Sequence, residues 1–140
     1  MTENSNLQFV SERMKDIDFC MMNTMKESDR GLDSRPMSNN AEVTFTGSSY
    51  FFTSDDSDVV KQLKKNDAVS LSFCGADHEF IHLDGKAHIS TEKSEMEPHW
   101  NESLTQWFLE GLDTPGICMI SVNAHTIKYW HNEKNIEVTL

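Results

Sequence analysis

Short stretches in which apolar and polar residues alternate recur along this chain, and they constrain its fold more than any other feature. The clearest runs over residues 68–74, where Val69, Leu71 and Phe73 point to one face of a strand. Further strand-like stretches occupy residues 19–25, 34–38, 43–45, 49–53, 79–83, 86–90, 117–122 and 126–130. Because turns join most of them, they predict a mainly β fold with peripheral helices, a small barrel of six or more antiparallel strands in a Greek-key-like order.

Helical patterns interrupt the strands and predict helices at the periphery of the barrel. They span residues 6–16, 55–65 and 94–108. The last of these starts with Ser94 as a predicted cap, and Pro98 is compatible with a helix only near its start. The dipeptide Asp84-Gly85 separates two strand-like stretches and predicts a hairpin turn.

Composition and charge limit the class of protein. The chain has 140 residues, near the commonest domain size, and we expect a single domain with residues 1–5 and about 135–140 disordered. A formal net charge of −11 argues against nucleic acid and anionic membranes as partners, because both attract basic surfaces. No apolar run approaches the ~18 residues of a membrane span. The polar and acidic residues 1–6 differ from a secretory signal, which predicts a cytoplasmic protein.

Cysteine and histidine show no spacing typical of metal ligands. Cys20, Cys74 and Cys118 lie far apart, each in an apolar strand-like stretch, so we expect buried thiols in a reducing compartment and no disulfides. The six histidines have neither the helical spacing of a zinc protease nor paired cysteines beside them. No metal site is predicted.

Two neighbouring motifs point to a ligand site at a strand end and a helix start. Arg35 leaves an early strand, and an aromatic strand then runs into Thr53, Ser54 and Ser57 at the start of the helix over residues 55–65. A helix start presents unpaired N–H groups and a partial positive charge, and nearby hydroxyls and a guanidinium add further donors for phosphate. The same pattern also describes an ordinary helix cap. Spacing alone leaves both interpretations open.

Several short motifs, taken in their order and spacing, carry a family resemblance. They are Arg-Pro-Met at 35–37, Phe-Phe-Thr-Ser at 51–54, Trp-Phe-Leu-Glu-Gly at 107–111, Asp-x-Pro at 113–115, the strand at 117–122 and Tyr-Trp at 129–130. Together they resemble the general-stress-protein branch of the pyridoxamine 5′-phosphate oxidase-like superfamily, the flavin-binding split barrels. The likeness covers roughly residues 10–130. It implies a homodimer with two flavin mononucleotide (FMN) sites at the subunit interface, with FAD as an alternative cofactor.

The resemblance also implies which residues contact the flavin. They are Arg35, Pro36, Met37, Phe52, Thr53, Ser54, Ser57, Lys61 and Trp107. Within this set the resemblance places Arg35 and Met37 at the edge of the isoalloxazine ring. Phe52 and Thr53 are assigned to its pyrimidine side and the ribityl chain, Ser54, Ser57 and Lys61 to the phosphate, and Trp107 to the flavin of the neighbouring subunit. No acid–base pair or nucleophile stands out, so no catalytic residue is assigned, in keeping with a cofactor that carries the electron chemistry itself.

The helix start departs from the related oxidases, in which basic residues follow the serine and hold the flavin phosphate. Here Asp58 and Val59 follow Ser57, and Asp55 and Asp56 precede it. Each carboxylate near a phosphate repels it, which predicts weak or absent FMN binding unless the side chains point away.

Two alternatives to a flavin-binding redox protein of the stress response therefore stay open. One is a dimeric, non-enzymatic binding protein that has lost its flavin, favoured by the aspartates around Ser57. The other is an oxidase or reductase of a small phosphorylated substrate. That enzyme needs a second anion pocket, for which Arg30, Lys86 and Lys128 are the candidates.

Overall fold

An antiparallel sheet dominates the computed structural model, which describes residues 3–28, 30–38 and 46–140. Within these residues the strands are β1 (Phe19–Met25), β2 (Leu32–Ser38), β3 (Ser48–Ser54), β4 (Ala68–Cys74), β5 (Phe80–Ser90), β6 (Ile117–His131) and β7 (Lys134–Thr139). Their order across the sheet is β2-β1-β4-β5-β6-β3, and β7 pairs with β6 beside this path. Every pairing is antiparallel, which confirms the predicted split barrel of six or more strands.

In the part of the chain that the structure describes, the α-helices around the sheet are α1 (Glu3–Lys15), α2 (Asp58–Lys65) and α3 (Lys93–Met96). α1 includes residues 3–5, which were expected to be disordered, and residues 1–2 lie outside the described part of the chain. α2 buries Val59, Val60 and Leu63, the apolar face that the periodicity predicts. None of the described helices combines the length and the apolar character that a bilayer crossing requires.

The prediction of one helix over residues 94–108 is wrong. α3 ends at Met96, and single 3₁₀ turns follow at Glu97–His99, Glu102–Gln106 and Gly111–Asp113. Pro98 explains the break, because proline has no N–H for the carbonyl four residues earlier and its ring collides with that carbonyl. Trp100 and Asn101 are extended, and the Asn101 side chain accepts a hydrogen bond from the Ser103 N–H at 2.8 Å to start the next turn.

Two further boundaries differ from the sequence prediction. The prediction of a hairpin turn at Asp84-Gly85 is wrong. Both residues lie inside the continuous strand β5, at a shift in its pairing with β6. A Cβ atom on Gly85 would overlap the Asn123 carbonyl oxygen, so the glycine allows two backbones to approach closely at a bulge. The stretches 117–122 and 126–130, predicted as separate closing strands, are likewise parts of the single strand β6.

The C-terminal residues, expected to be disordered from about 135 onward, form β7. β7 pairs with the second half of β6, and its Val138 is fully buried against the core. The second half of β6, which directly precedes this polar tail in sequence, offers an unpaired strand edge, and pairing with that edge orders the tail. The predicted strand at residues 43–45 and the break before it lie outside the described residues.

The core has two parts. The larger cluster fills the sheet interior under α1 and α2, with Val10, Met14, Val60 and Leu63 from the helices. The smaller cluster lies between β3, β6 and the segment after β5, and consists of Phe52, Met96, Leu104, Ile117 and Met119. This second cluster packs residues 93–113 against Phe52 of β3 and thereby positions that irregular segment.

The cysteine prediction is confirmed at two positions and wrong at the third. Cys20 and Cys118 are buried free thiols, and burial raises their pKa values to about 12 and about 11. Cys74 is exposed, because it ends β4 with its side chain on the outer face of the sheet.

A buried ion pair joins α1 to the sheet. The Glu79 carboxylate is 3% exposed and accepts hydrogen bonds from Arg13 Nε at 2.7 Å and Nη2 at 2.9 Å, and another from the Tyr129 hydroxyl. The hydrogen bond from Arg13 holds the pKa of Glu79 below its usual range. Burial, followed by the bond to Glu79, raises the pKa of Tyr129 to about 12.

Candidate functional site

An open cavity of about 370 Å³ lies where the two ends of the strand order approach each other. β2 and β3 are the first and last strands of the order, and their C-terminal ends both reach this cavity. It is lined by Phe19, Pro36, Met37, Ser38, Phe51, Phe52, Thr53, Ser54, Leu104, Trp107 and Phe108. The split of the barrel thus brings together two motifs that lie about 15 residues apart in the chain.

One wall of the cavity is aromatic. Phe52 is buried and meets Trp100 edge to face, with ring centroids 5.3 Å apart and planes at 82°. Trp100 in turn contacts Phe108, with centroids 6.3 Å apart. These contacts fix the two phenylalanine rings, while Trp107 at the mouth is 52% exposed. A wall of this kind suits a planar, mostly apolar ligand.

Hydroxyl groups line the cavity at the end of β3, directly after Phe52. Thr53 Oγ1 donates to Ser57 Oγ at 3.5 Å, and Ser54 Oγ donates to Asp56 Oδ1 at 2.6 Å. Ser57 is the N-cap residue of α2, and its side chain makes no capping hydrogen bond. The hydroxyls therefore lie beside the start of α2, as the motif predicts, but one of them already donates to a carboxylate.

Arg35 does not line the cavity. Its Nη1 donates to Thr24 Oγ1 at 2.8 Å and to the Met22 carbonyl at 3.2 Å. Its Nη2 donates to Gln62 Oε1 at 2.9 Å and forms an ion pair with Asp33 at 3.2 Å. Gln62 Nε2 also donates to Asp33, and this hydrogen bond lowers the pKa of the Asp33 carboxyl. The guanidinium thus ties β2 to β1 and to α2.

Six of the nine predicted contact residues line the cavity: Pro36, Met37, Phe52, Thr53, Ser54 and Trp107. The other three, Arg35, Ser57 and Lys61, do not. Lys61 is exposed one turn along α2, where its backbone N–H bonds the Ser57 carbonyl at 3.2 Å.

Sequence reasoning missed the rest of the lining and the residues that hold Arg35. Five residues line the cavity and were not predicted as contacts: Phe19, Ser38, Phe51, Leu104 and Phe108. A signal for Gln62 existed, because it lies within the apolar stripe of α2, where a polar side chain requires a buried partner. No comparable signal in the sequence identified Phe19.

The charges around the cavity are negative. Its lining residues include no lysine, arginine or histidine. Asp55, Asp56 and Asp58 follow the end of β3 and are exposed. Lys128 contributes to a separate polar depression on the outer face of β5, β6 and β7, and Arg30 and Lys86 are exposed away from the cavity lining. Across the described residues, no group of three or more acidic, histidine or cysteine side chains is arranged to hold a metal ion.

The residues present fit one part of a flavin better than the other. Met37, Phe52 and Trp107 supply apolar and aromatic surface for a ring system, and the Thr53 hydroxyl lies on its polar side. The end near Ser54 and Ser57 offers hydroxyls and a helix start but no lining cation for a phosphate.

Comparison with known structures agrees with this fold. A protein related to general stress protein 26 from Clostridium acetobutylicum, of the pyridoxinephosphate oxidase family, has a TM-score of 0.83 at 20% identity, with 100% of this chain and 97% of that chain covered. The general stress FMN/FAD binding protein from Xanthomonas citri has a TM-score of 0.75 at 22% identity, with 99% and 96% covered. General stress protein 26 from Bacillus anthracis str. Sterne has a TM-score of 0.77 at 19% identity, with 99% and 100% covered.

A search of curated proteins returned no match. The family described as pyridoxamine 5′-phosphate oxidase like matches residues 5–140, almost the entire chain. The chain has a split barrel and a cavity between β2 and β3, in agreement with this match. We conclude that it belongs to the pyridoxamine 5′-phosphate oxidase-like family.

Proposed function

We propose that this protein binds a flavin in the cavity between β2 and β3, as a homodimer, and takes part in redox chemistry of a stress response in the cytoplasm. The observation that carries the proposal is the gathering of six motif residues around one cavity with an aromatic wall and a hydroxyl-bearing side. The description of the Xanthomonas citri structure as FMN/FAD binding supports it. The buried free thiols of Cys20 and Cys118 are in keeping with a reducing compartment.

In this proposal the protein holds the flavin and the cofactor supplies the electron transfer. Met37 and Pro36 border the ring, Phe52 and Thr53 form its aromatic and polar sides, and Trp107 covers it at the mouth. Arg35 contributes by holding β2 against α2, and Ser54, Ser57 and Lys61 lie toward the end where FMN carries its phosphate.

The homodimer is proposed because the cavity is open and its rim is apolar. Phe19 and Trp107 line it and are each about half exposed, at 53% and 52%. Apolar surface of this kind at a ligand site is typically covered in the assembled protein, and obligate interfaces bury about 2,000 Å² or more. Analytical ultracentrifugation is expected to give a dimer at micromolar concentration, and a monomer contradicts the shared site.

The first test is the absorption spectrum of the purified protein, followed by fluorescence titration with FMN and riboflavin. Trp107→Ala is expected to weaken flavin binding about 10-fold, because stacking on an aromatic side chain is worth about 1–3 kcal/mol. Trp130→Ala is the matched control, since Trp130 is also partly exposed but lies opposite Phe80 on β5 and does not line the cavity. Absence of saturable binding by either flavin refutes the proposal.

A dimeric binding protein without flavin is the second candidate, and the carboxylates of Asp55, Asp56 and Asp58 favour it. This alternative predicts a colourless protein that stays dimeric and does not bind either flavin in the same titration. The spectrum and the flavin titration therefore separate the two functions, since both predict a dimer.

A further inference from the structure

The cavity offers much to a flavin ring and little to a flavin phosphate. We propose that this site selects its ligand by the ring system and gains almost no affinity from the phosphate, an inference that rests on the proposed flavin-binding function. Riboflavin, which lacks the phosphate, then binds about as tightly as FMN. Three features of the structure lead to this specificity.

The first feature is the absence of a cation at the cavity. None of its lining residues is basic, and the segment 39–45, which lies outside the described residues, contains no lysine or arginine in its sequence. Arg35 is the basic residue nearest to the lining in sequence, but its guanidinium bonds Thr24, Gln62 and the Met22 carbonyl and pairs with Asp33. Turning it into the cavity would cost all of these contacts, although Thr24 Oγ1 would still donate to Gln62 Oε1.

The second feature concerns the hydroxyl groups at the end of β3. A serine hydroxyl has one proton to donate. Ser54 donates it to Asp56 Oδ1 at 2.6 Å, so donating to a phosphate instead would cost this hydrogen bond. Thr53 likewise donates to Ser57 Oγ, at 3.5 Å. Of the two hydroxyls that the resemblance assigns to the phosphate, Ser54 already donates to a carboxylate, and Ser57 donates to no other side chain among these contacts.

The third feature is the charge at the start of α2. A helix N-terminus attracts an anion through about half an elementary charge. Asp55, Asp56 and Asp58 place three exposed carboxylates within four residues around the same point. Lys61 is exposed one turn further along and does not line the cavity, so it offsets at most one of them. The repulsion cancels the attraction of the helix start, and the aromatic wall supplies the affinity.

The test measures dissociation constants of FMN and riboflavin with the dimeric wild-type protein at low and high salt. The inference predicts that the two constants differ by less than about threefold and that their ratio changes little with salt, since a matched phosphate would depend strongly on ionic strength. FMN binding more than about threefold tighter than riboflavin overturns the inference but leaves flavin binding intact. Failure of both ligands to bind overturns the inference and the proposed function together.

Asp56→Asn tests the cause. The variant removes one carboxylate and weakens the acceptor that holds the Ser54 hydroxyl. FMN is expected to bind about 3- to 10-fold tighter and riboflavin less than twofold tighter, because only FMN carries the phosphate charge. Asp84→Asn, the same charge change at an exposed position away from the cavity, is expected to alter neither constant. Equal effects of the two variants, or an equal gain for both ligands, contradict the inference.

Discussion

Replacing Arg35 with methionine distinguishes two roles for this arginine. The family motif places it at the flavin ring, whereas in the structure its guanidinium lies in a network with Thr24, Gln62, Asp33 and the Met22 carbonyl. Methionine keeps most of the aliphatic stem and removes only the donors. We therefore expect Arg35→Met to destabilise the fold, with a smaller and indirect effect on flavin affinity.

The magnitude follows from the partners of the guanidinium. Thr24 and Gln62 are buried, with 1% and 8% of their surface exposed, so water cannot replace the hydrogen bonds from the guanidinium. The hydrogen bond from Thr24 Oγ1 to Gln62 Oε1 remains in the variant and limits the loss. Bonds between a charged donor and such partners contribute about 1.5–3 kcal/mol each, from which the desolvation of the guanidinium is subtracted. The Asp33 side chain is 42% exposed, so its ion pair adds little. The expected loss is about 2–4 kcal/mol, or a fall in Tm of about 6–12 °C.

Urea unfolding and thermal scans measure this loss, and FMN titration of the same samples measures binding. Arg30→Met is the control, since Arg30 is exposed in the β1–β2 turn, and we expect a change below about 0.5 kcal/mol. A double-mutant cycle of Arg35→Met with Gln62→Leu is expected to show a coupling of about 1 kcal/mol or more. If Arg35→Met is as stable as wild type yet no longer binds flavin, the guanidinium acts in the cavity, and the stabilising role assigned to it is refuted.

Three further predictions follow from single residues. Glu79→Gln should cost about 1–2 kcal/mol at pH 7, because it breaks a pair with a partly exposed Arg13. The folded pKa of Glu79 lies below its ordinary 4.5, so the wild-type advantage is complete above about pH 4.5 and disappears as the pH falls through the folded value. Urea unfolding of both proteins at a series of pH values from 7 downward checks this loss, and a difference that does not shrink on acidification contradicts it. Gly85→Ala should cost about 3 kcal/mol or more, because its Cβ overlaps the Asn123 carbonyl, and an unchanged urea midpoint would contradict the close approach. Asp58→Arg should tighten FMN binding about 5- to 30-fold in a fluorescence titration and leave riboflavin affinity unchanged, because only FMN carries a phosphate. The gain should shrink in high salt. An equal gain for both ligands would show that the phosphate does not lie near residue 58.

The last of these substitutions also shows why a sequence motif alone is an incomplete guide to mutagenesis. The related oxidases have a basic pair after the helix-start serine, where this chain has Asp58 and Val59. Asp58 is exposed, so its charge can be reversed without disturbing the core. Val59 is 5% exposed and packs in the main core, so a lysine there would bury a charge and destabilise the fold. The experiment is therefore restricted to Asp58.

The sequence by itself determined the features that depend on neighbouring residues. Alternation over residues 68–74 matches β4 from end to end, and the periodicity of α2 identifies its buried face. The order of the short motifs identified the family and six of the lining residues, because each motif ends a strand and the ends of β2 and β3 meet at the split of the barrel. These inferences succeeded since local pattern and packing favour the same conformation.

Only the tertiary structure decided the features that depend on a distant partner. Asp84-Gly85 is a turn signal in isolation, yet the close Asn123 backbone makes it a bulge within β5. Residues 134–139 form β7 because β6 presents an unpaired edge beside them. Arg35 turns away from the cavity because buried acceptors on Thr24 and Gln62 lie within its reach. In each case long-range hydrogen bonds and burial outweigh local preferences that differ by only about 1 kcal/mol per residue, so the sequence pattern was ambiguous until the fold supplied the partner.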